Sequence, residues 1–370
     1  MNISSRCSFF VLITTFVFVS LLHNFISYMR SFASDNNSGV HPSIMNAINE
    51  CNHNHALGYG DDEWTKEAET LLVDLVGKND ASVCYALTGT GANVIALQAC
   101  TQSFNSIICA STAHIAVDEC GAPTKLTGCP LKEIKTEDGK LTPELVKPFL
   151  SGFGFEHHSQ PKVIAISQPT EMGTVYTPDE IKQLANLAHS HNMYLFMDGA
   201  RLANACASNK LSLKDYTTDC GVDIFTFGGA KNGLMYGEAV VSLRPELSQN
   251  LKYIRKQSTQ LVSKMRYISA QFIAYLKDDL WIESAHNANT MAKKLAEILN
   301  EFNIKLTQSV DSNAVFFTMS NEVTSKLREN FYFYDWDIMT HERRMVCSWD
   351  TTDNDLLRLK QCLVVATNDK

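Results

Sequence analysis

Short apolar runs recur along the middle of this chain, at residues 83–87, 107–110, 163–167, 194–197, 224–227 and 239–243. They are too short for helices and largely apolar throughout, the pattern of strands buried on both faces. Between two of them, Pro178, Asp179 and Glu180 open a helical pattern with apolar residues at Ile181, Leu184, Leu187 and Ala188. Proline in a first turn removes no hydrogen bond, and acidic side chains there meet the positive end of the helix dipole. Strand–helix–strand alternation predicts an α/β fold, with a mostly parallel sheet lying between helices.

The flanks read differently. After Pro245 a long helical stretch is expected over roughly 246–278. A second helix follows, carrying Ala292, Leu295, Ile298, Leu299 and Phe302, then strand candidates at 314–319, 331–336 and 345–349 and a closing helix. The expected organisation is a leader over 1–30, an arm and large domain over 31–245, and a linking helix with a small α+β domain over 246–370. Residues 34–65 are polar, rich in Asn and His, and read as an irregular arm. The leader lacks Asp, Glu, Lys and Arg from Cys7 to Met29 and is strongly apolar over 9–22. That run fits a secretory segment or a short membrane anchor, and the lack of acid before Asp35 also fits a transit peptide. Translation from Met29 would make it an upstream extension, so membrane contact is expected only if residues 1–28 are retained.

A net charge of −8 argues against nucleic acid or an anionic membrane as partner. The 11 cysteines include no Cys-x-x-Cys pair, and Cys84, Cys100 and Cys109 sit in apolar runs. A reducing, cytoplasmic setting is therefore favoured, and no metal site is expected.

Ligands of open α/β sheets bind at the carboxyl ends of the strands. One turn there reads Thr88-Gly89-Thr90-Gly91-Ala92-Asn93, and its glycines before a helix can admit a phosphate. It is neither Gly-x-Gly-x-x-Gly nor a Walker sequence, and a tight packing turn would look the same. A second strand ends in Asp198, a carboxylate that needs a cation: Arg201 nearby, or a pyridinium nitrogen. A third is followed by Gly228-Gly229-Ala230-Lys231, where desolvation favours the neutral amine that forms Schiff bases. Glycine turn, strand-end Asp and later Lys, in that order, describe a pyridoxal-phosphate site.

The phrases SDNNSGVHP (34–42), ALGYGDD (56–62), TGTGAN (88–93), STAHIAVDECGAP (111–123), QPTEMGTVYTPDE (168–180), FMDGARLANA (196–205), TFGGAKNGLMYGEAVV (226–241) and RMVCSWDTTDND (344–355) follow one another along the chain. In these the sequence resembles the L-threonine aldolases of the β-eliminating-lyase group, enzymes of the aspartate-aminotransferase-like fold, fold type I. The resemblance implies pyridoxal 5'-phosphate as cofactor, carried by Lys231. It implies Asp198 at the pyridine nitrogen, Gly89, Thr90 and Gly91 at the phosphate, and His114 on the ring face. Arg201 and Arg344 would clamp the substrate carboxylate, with Ser34 adding a hydrogen bond; adjacent Arg343 competes for the second arginine role. It further implies a small β-hydroxy amino acid as substrate, cleaved to glycine and an aldehyde, and a homodimer or homotetramer.

A histidine is the natural base near neutral pH, and His114, His157 and His158 are the candidates. His53 and His55 read as residues of the arm that are solvated or lie at a subunit contact, not as metal ligands. The lysine phrase AKNG departs from the Ser-Lys-Gly-Leu-Gly of many members, which leaves substrate preference open. Two other readings stand beside the aldolase: a pyridoxal-phosphate lyase that eliminates a β-substituent, and a membrane-tethered protein without turnover.

Overall fold

The structure, a computed structural model, describes residues 30–368. The apolar leader lies outside them. Among the described residues no helix is long and apolar enough to cross a membrane.

All six predicted runs form strands of one seven-stranded sheet. In chain order its strands are β1 (Ser82–Ala86), β2 (Asn105–Ala110), β3 (Leu131–Ile134), β4 (Gln160–Ser167), β5 (Tyr194–Asp198), β6 (Ile224–Gly228) and β7 (Glu238–Ser242). Their spatial order is β1-β7-β6-β5-β4-β2-β3. β7 runs antiparallel to both of its neighbours, β1 and β6, and the remaining pairs of the sheet are parallel. The edge strand β3 escapes prediction because Lys132 and Glu133 are exposed and break the apolar pattern. Charged residues on an edge also discourage pairing with another chain.

Two apolar layers sandwich the sheet. One face buries Ile108, Ile164, Leu195 and Phe225 beneath the helices α2 (Glu63–Val76) and α4 (Pro178–Ser190). The other buries Ile107, Val163, Phe196 and Ile224 against α3 (Gly89–Cys100). α4 starts as predicted: Thr177 accepts from the Glu180 N–H while Glu180 accepts from the Thr177 N–H. Such a box contributes about 1 kcal/mol.

Two expectations need correction. The arm is not wholly irregular: Pro42–Glu50 forms the amphipathic helix α1, which buries Ile44. Its polar composition hides a single apolar stripe. The stretch 246–278 is not one helix but three pieces, Pro245–Ser248, α5 (Leu251–Gln257) and α6 (Arg266–Leu276). Thr259 adopts φ 61, which helical residues cannot share. These pieces pack on the large sheet's helices, with Leu251, Ile268 and Phe272 buried there.

A three-stranded antiparallel sheet joins β8 (Ala314–Thr318), β9 (Tyr334–Asp337) and β10 (Glu342–Val346), in the order β9-β10-β8. The second half of α7 (Leu280–Glu301) and α8 (Asp353–Asn368) cover it around Leu295, Phe317 and Leu359. β10 begins three residues before the expected position, so Trp349 falls in the following turn. Phe32 of the arm inserts into this same core.

Candidate active site

The strand ends and α3 converge on a cleft lined by residues that include Gly89, His114, Asp198, Arg201 and Lys231. Backbone contact explains why the flanking residues are small. A Cβ on Gly199 would strike the carbonyl of Thr226, and one on Gly228 would strike that of Ala200. Gly228 instead donates to the Gly199 carbonyl at 3.0 Å, which locks the Asp198 turn to the Lys231 turn.

Asp198 is 7% exposed and its carboxylate is held at both oxygens. Oδ1 accepts from the Ala200 N–H at 2.9 Å and Oδ2 from Asn93 Nδ2 at 2.7 Å. Asn93 Nδ2 also donates to Glu119 Oε1 at 2.8 Å, and His114 Nδ1 lies 2.8 Å from that same oxygen. The hydrogen bond to Glu119 raises the His114 pKa against the effect of burial. Glu171, whose pKa burial raises, accepts from the His114 backbone N–H at 2.7 Å and from Ser167 Oγ at 2.7 Å.

Lys231 follows β6 on a short helical turn. The arm braces that turn, His41 donating its N–H to the Gly233 carbonyl at 2.8 Å. Burial, aided by the positive charge of Arg201, lowers the Lys231 pKa and favours the free amine. Glu238 faces the same cleft, and burial pushes its carboxyl up to about 8.

Arg201 forms a bidentate pair with Asp35 of the arm, Nε to Oδ2 at 2.7 Å and Nη2 to Oδ1 at 2.8 Å. Burial opposes both charges, yet the pair prevails, so the Asp35 pKa falls and that of Arg201 rises. Arg344 sits at 5.0 Å from the Trp336 ring centroid, and its Nε is buried without a partner among the described residues. Burial and the nearby charge of Arg201 lower its pKa. A guanidinium with an unmet donor is suited to an incoming carboxylate. Arg343 points elsewhere, pairing with Asp335 at 2.9 Å and donating to Asn321 Oδ1 at 2.7 Å.

The remaining expected residues divide. Gly89 faces open space, since a Cβ there would meet nothing within 4 Å. Thr90 shares its first helical turn, whose N–H groups have no intrahelical acceptor. The Gly91 N–H is already taken by Thr88 Oγ at 3.1 Å. A side chain at Gly91 would overlap Gln260, so that glycine serves close packing. Ser34 accepts from the Asn36 N–H at 3.2 Å and shapes the turn that presents Asp35. His157 and His158 are not brought to the site. They precede β4, whereas the cleft lies beyond its far end at Ser167. Eight residues of strand separate the two ends by roughly 25 Å.

Sequence reading passed over Asp35, Asn93, Glu119, Glu171 and Glu238. All lie inside the matched phrases, but nothing local marks them: Asp35, Asn93, Glu119 and Glu171 meet partners distant in sequence, and Glu238 matters through its burial beside Lys231.

The family model for beta-eliminating lyases matches residues 31–322. The chain belongs to the beta-eliminating lyase family. The lyase is 38% identical to a low specificity L-threonine aldolase of Pseudomonas aeruginosa over 336 residues, 90% of this chain and 96% of the relative. It is equally similar to one from another Pseudomonas strain, over 88% of this chain and 94% of that one. A solved threonine aldolase of Leishmania major superposes with a TM-score of 0.87 at 31% identity, covering 91% of this chain and 99% of the other. An aspartate aminotransferase of Thermus thermophilus, at 15% identity and a TM-score of 0.68, shares the fold over 94% of each chain.

Pyridoxal phosphate is the cofactor of this lyase. The cleft fits it by its own chemistry: a buried carboxylate at a strand end, a desolvated lysine on the next turn, and a helix N-terminus open to an anion.

Proposed function

We propose that this lyase cleaves L-threonine, L-allo-threonine and related β-hydroxy amino acids into glycine and an aldehyde. The observation that carries this reading is one cleft joining Lys231, Asp198 and His114, beside Arg201 and an Arg344 with an unmet donor. The relatives' names point the same way.

Bound there, pyridoxal phosphate supplies an electron sink for the pair left at Cα when the Cα–Cβ bond breaks. Lys231 would carry it, since a neutral amine is the nucleophile such attachment needs. Asp198 would keep the ring nitrogen protonated, with Asn93 and Ala200 fixing its carboxylate. The first-turn N–H groups at Gly89 and Thr90 would hold the phosphate. Arg344 binds the substrate carboxylate with donors left free. Arg201 adds charge, although Asp35 occupies two of its nitrogens. His114 accepts the β-hydroxyl proton as the C–O bond becomes a carbonyl, and its raised pKa suits that task. Assembly into a homodimer or homotetramer and a cytoplasmic setting belong to the same proposal.

The test supplies L-threonine and L-allo-threonine separately to the cofactor-loaded protein, with Lys231→Ala as control. Equal amounts of glycine and acetaldehyde, absent in the control, are expected. Pyruvate-type oxo acids and ammonia from β-hydroxy substrates would instead identify an eliminating lyase.

A further inference from the structure

Around the cleft four carboxylates crowd together, Glu119, Glu171, Asp198 and Glu238. Two of them, Glu119 and Asp198, converge on one amide. Asn93 Nδ2 carries two hydrogens, and each is directed to a different carboxylate, at 2.8 and 2.7 Å. Thr226 Oγ, which accepts from the Gly199 N–H at 3.0 Å, lies 3.4 Å from Asn93 Oδ1 and orients the amide. An amide so held cannot flip without setting its oxygen against two acceptors.

The third participant is His114. Its Nδ1 faces Glu119 Oε1, and an ionised carboxylate only accepts, so Nδ1 must carry the hydrogen. The other nitrogen, Nε2, then holds the lone pair. Glu119 Oε2 is buried and has no hydrogen-bond partner among the described residues. The charge of Glu119 is thus answered through Oε1 alone, by Asn93 and His114.

From this continuous chain, His114–Glu119–Asn93–Asp198, we infer that Glu119 and Asn93 are positioning residues for the reaction. Glu119 selects the His114 tautomer that presents Nε2 as the proton acceptor and stabilises the imidazolium formed when the proton arrives. Asn93 ties that event to the carboxylate at the ring nitrogen, so the two ends of the site share one hydrogen-bonded unit. This rests on His114 as the base of the proposed cleavage. The charged groups around the imidazole are Glu119 and Asp198, which favour its protonation, Lys231, which opposes it, and Glu171, bonded to its backbone.

The shape-conserving Glu119→Gln separates positioning from packing. Its oxygen, at the Oε1 place, would still accept from Asn93 and His114 Nδ1, with its NH2 at the unpartnered Oε2 place, so only the charge is lost. Glu119→Leu removes the acceptor as well and releases the tautomer. The holoenzyme is prepared with ¹⁵N-labelled histidine, His114 is assigned with His114→Phe, and cofactor absorbance and melting verify that each variant is folded and loaded. Wild type and Glu119→Gln are expected to show Nδ1–H, and Glu119→Leu to lose that preference. In Glu119→Gln, kcat should fall at least about tenfold with KM within about threefold. The acid limb of kcat/KM should move down by about one pH unit. Glu119→Asp, which keeps the charge, should recover part of the loss. An unchanged acid limb in a folded, loaded Glu119→Gln, or an unchanged tautomer in a folded, loaded Glu119→Leu, would overturn the proposal. Wild-type inactivity toward both threonine isomers with the Nδ1–H tautomer present would instead overturn the reading on which it rests.

Discussion

The arm is fastened to the site by charge, and Asp35→Asn measures how strongly. In the wild type Arg201 donates twice to Asp35, whose side chain is 1% accessible, and Asn313 Nδ2 donates to the same carboxylate at 2.9 Å. The asparagine keeps the shape but leaves the guanidinium without its counter-charge. Breaking a buried pair from one side costs about 3 to 5 kcal/mol, and because Arg201 is 22% accessible the low end applies, about 3 kcal/mol. With an unfolding entropy of about 2 cal/mol/K per residue, a chain of 370 residues should melt about 4 °C lower. The pH dependence has a definite sign. The folded pKa of Asp35 lies below the ordinary aspartate value of 3.8, so the pair contributes fully above that value. Its contribution disappears as pH falls through the folded pKa. Melting of wild type and Asp35→Asn between pH 8 and pH 3 should therefore show a constant gap down to about pH 4 that closes below it. A variant melting within about 1 °C of wild type at neutral pH, or a gap that widens in acid, refutes the reasoning.

Three further outcomes are expected. Gly199→Ala forces a methyl against the Thr226 carbonyl, so it should lower cofactor affinity and cost about 2 kcal/mol or more in urea unfolding, whereas Gly89→Ala, facing open space, should fold normally. His157→Ala with His158→Ala should leave kcat/KM within about twofold, because these exposed residues lie at the far end of β4; a larger loss would show that they reach a site after all. Glu238 has a folded pKa above its ordinary 4.5, so the folded state binds the extra proton and stability falls as pH rises from there toward about 8; Glu238→Gln should flatten that slope in melts across the range.

How far this molecule can be read from its sequence depends on whether a residue's meaning is local. Each sheet strand that is buried on both faces announces itself by an unbroken apolar run, so β4, β5 and β6 are legible, and Asp198 and Lys231 with them. β3 is not, because an edge strand exposes Lys132 and Glu133 and loses the pattern. α1 is hidden by its arm's polarity, since one buried Ile44 is enough to seat a short helix that packs against α6. The break in 246–278 turns on backbone geometry at Thr259, a residue whose type gives no warning of a left-handed φ.

The site divides along the same line. Groups that would meet the cofactor or substrate carry recognisable chemistry at recognisable places. The groups that fix them act across long intervals, Asp35 on Arg201 and Asn93 on Asp198, and composition is silent about such pairs. Arg343 and Arg344 make the point most sharply. They are adjacent and chemically identical, yet alternation along β10 turns one toward Asp335 and Asn321 and the other toward Trp336 and the cleft's charges. Period-two alternation guarantees that neighbouring arginines part, but the facing strand and the arm decide which one is left with a donor to offer. That choice, unlike the lysine or the aspartate, exists only once β8, β9 and β10 have paired.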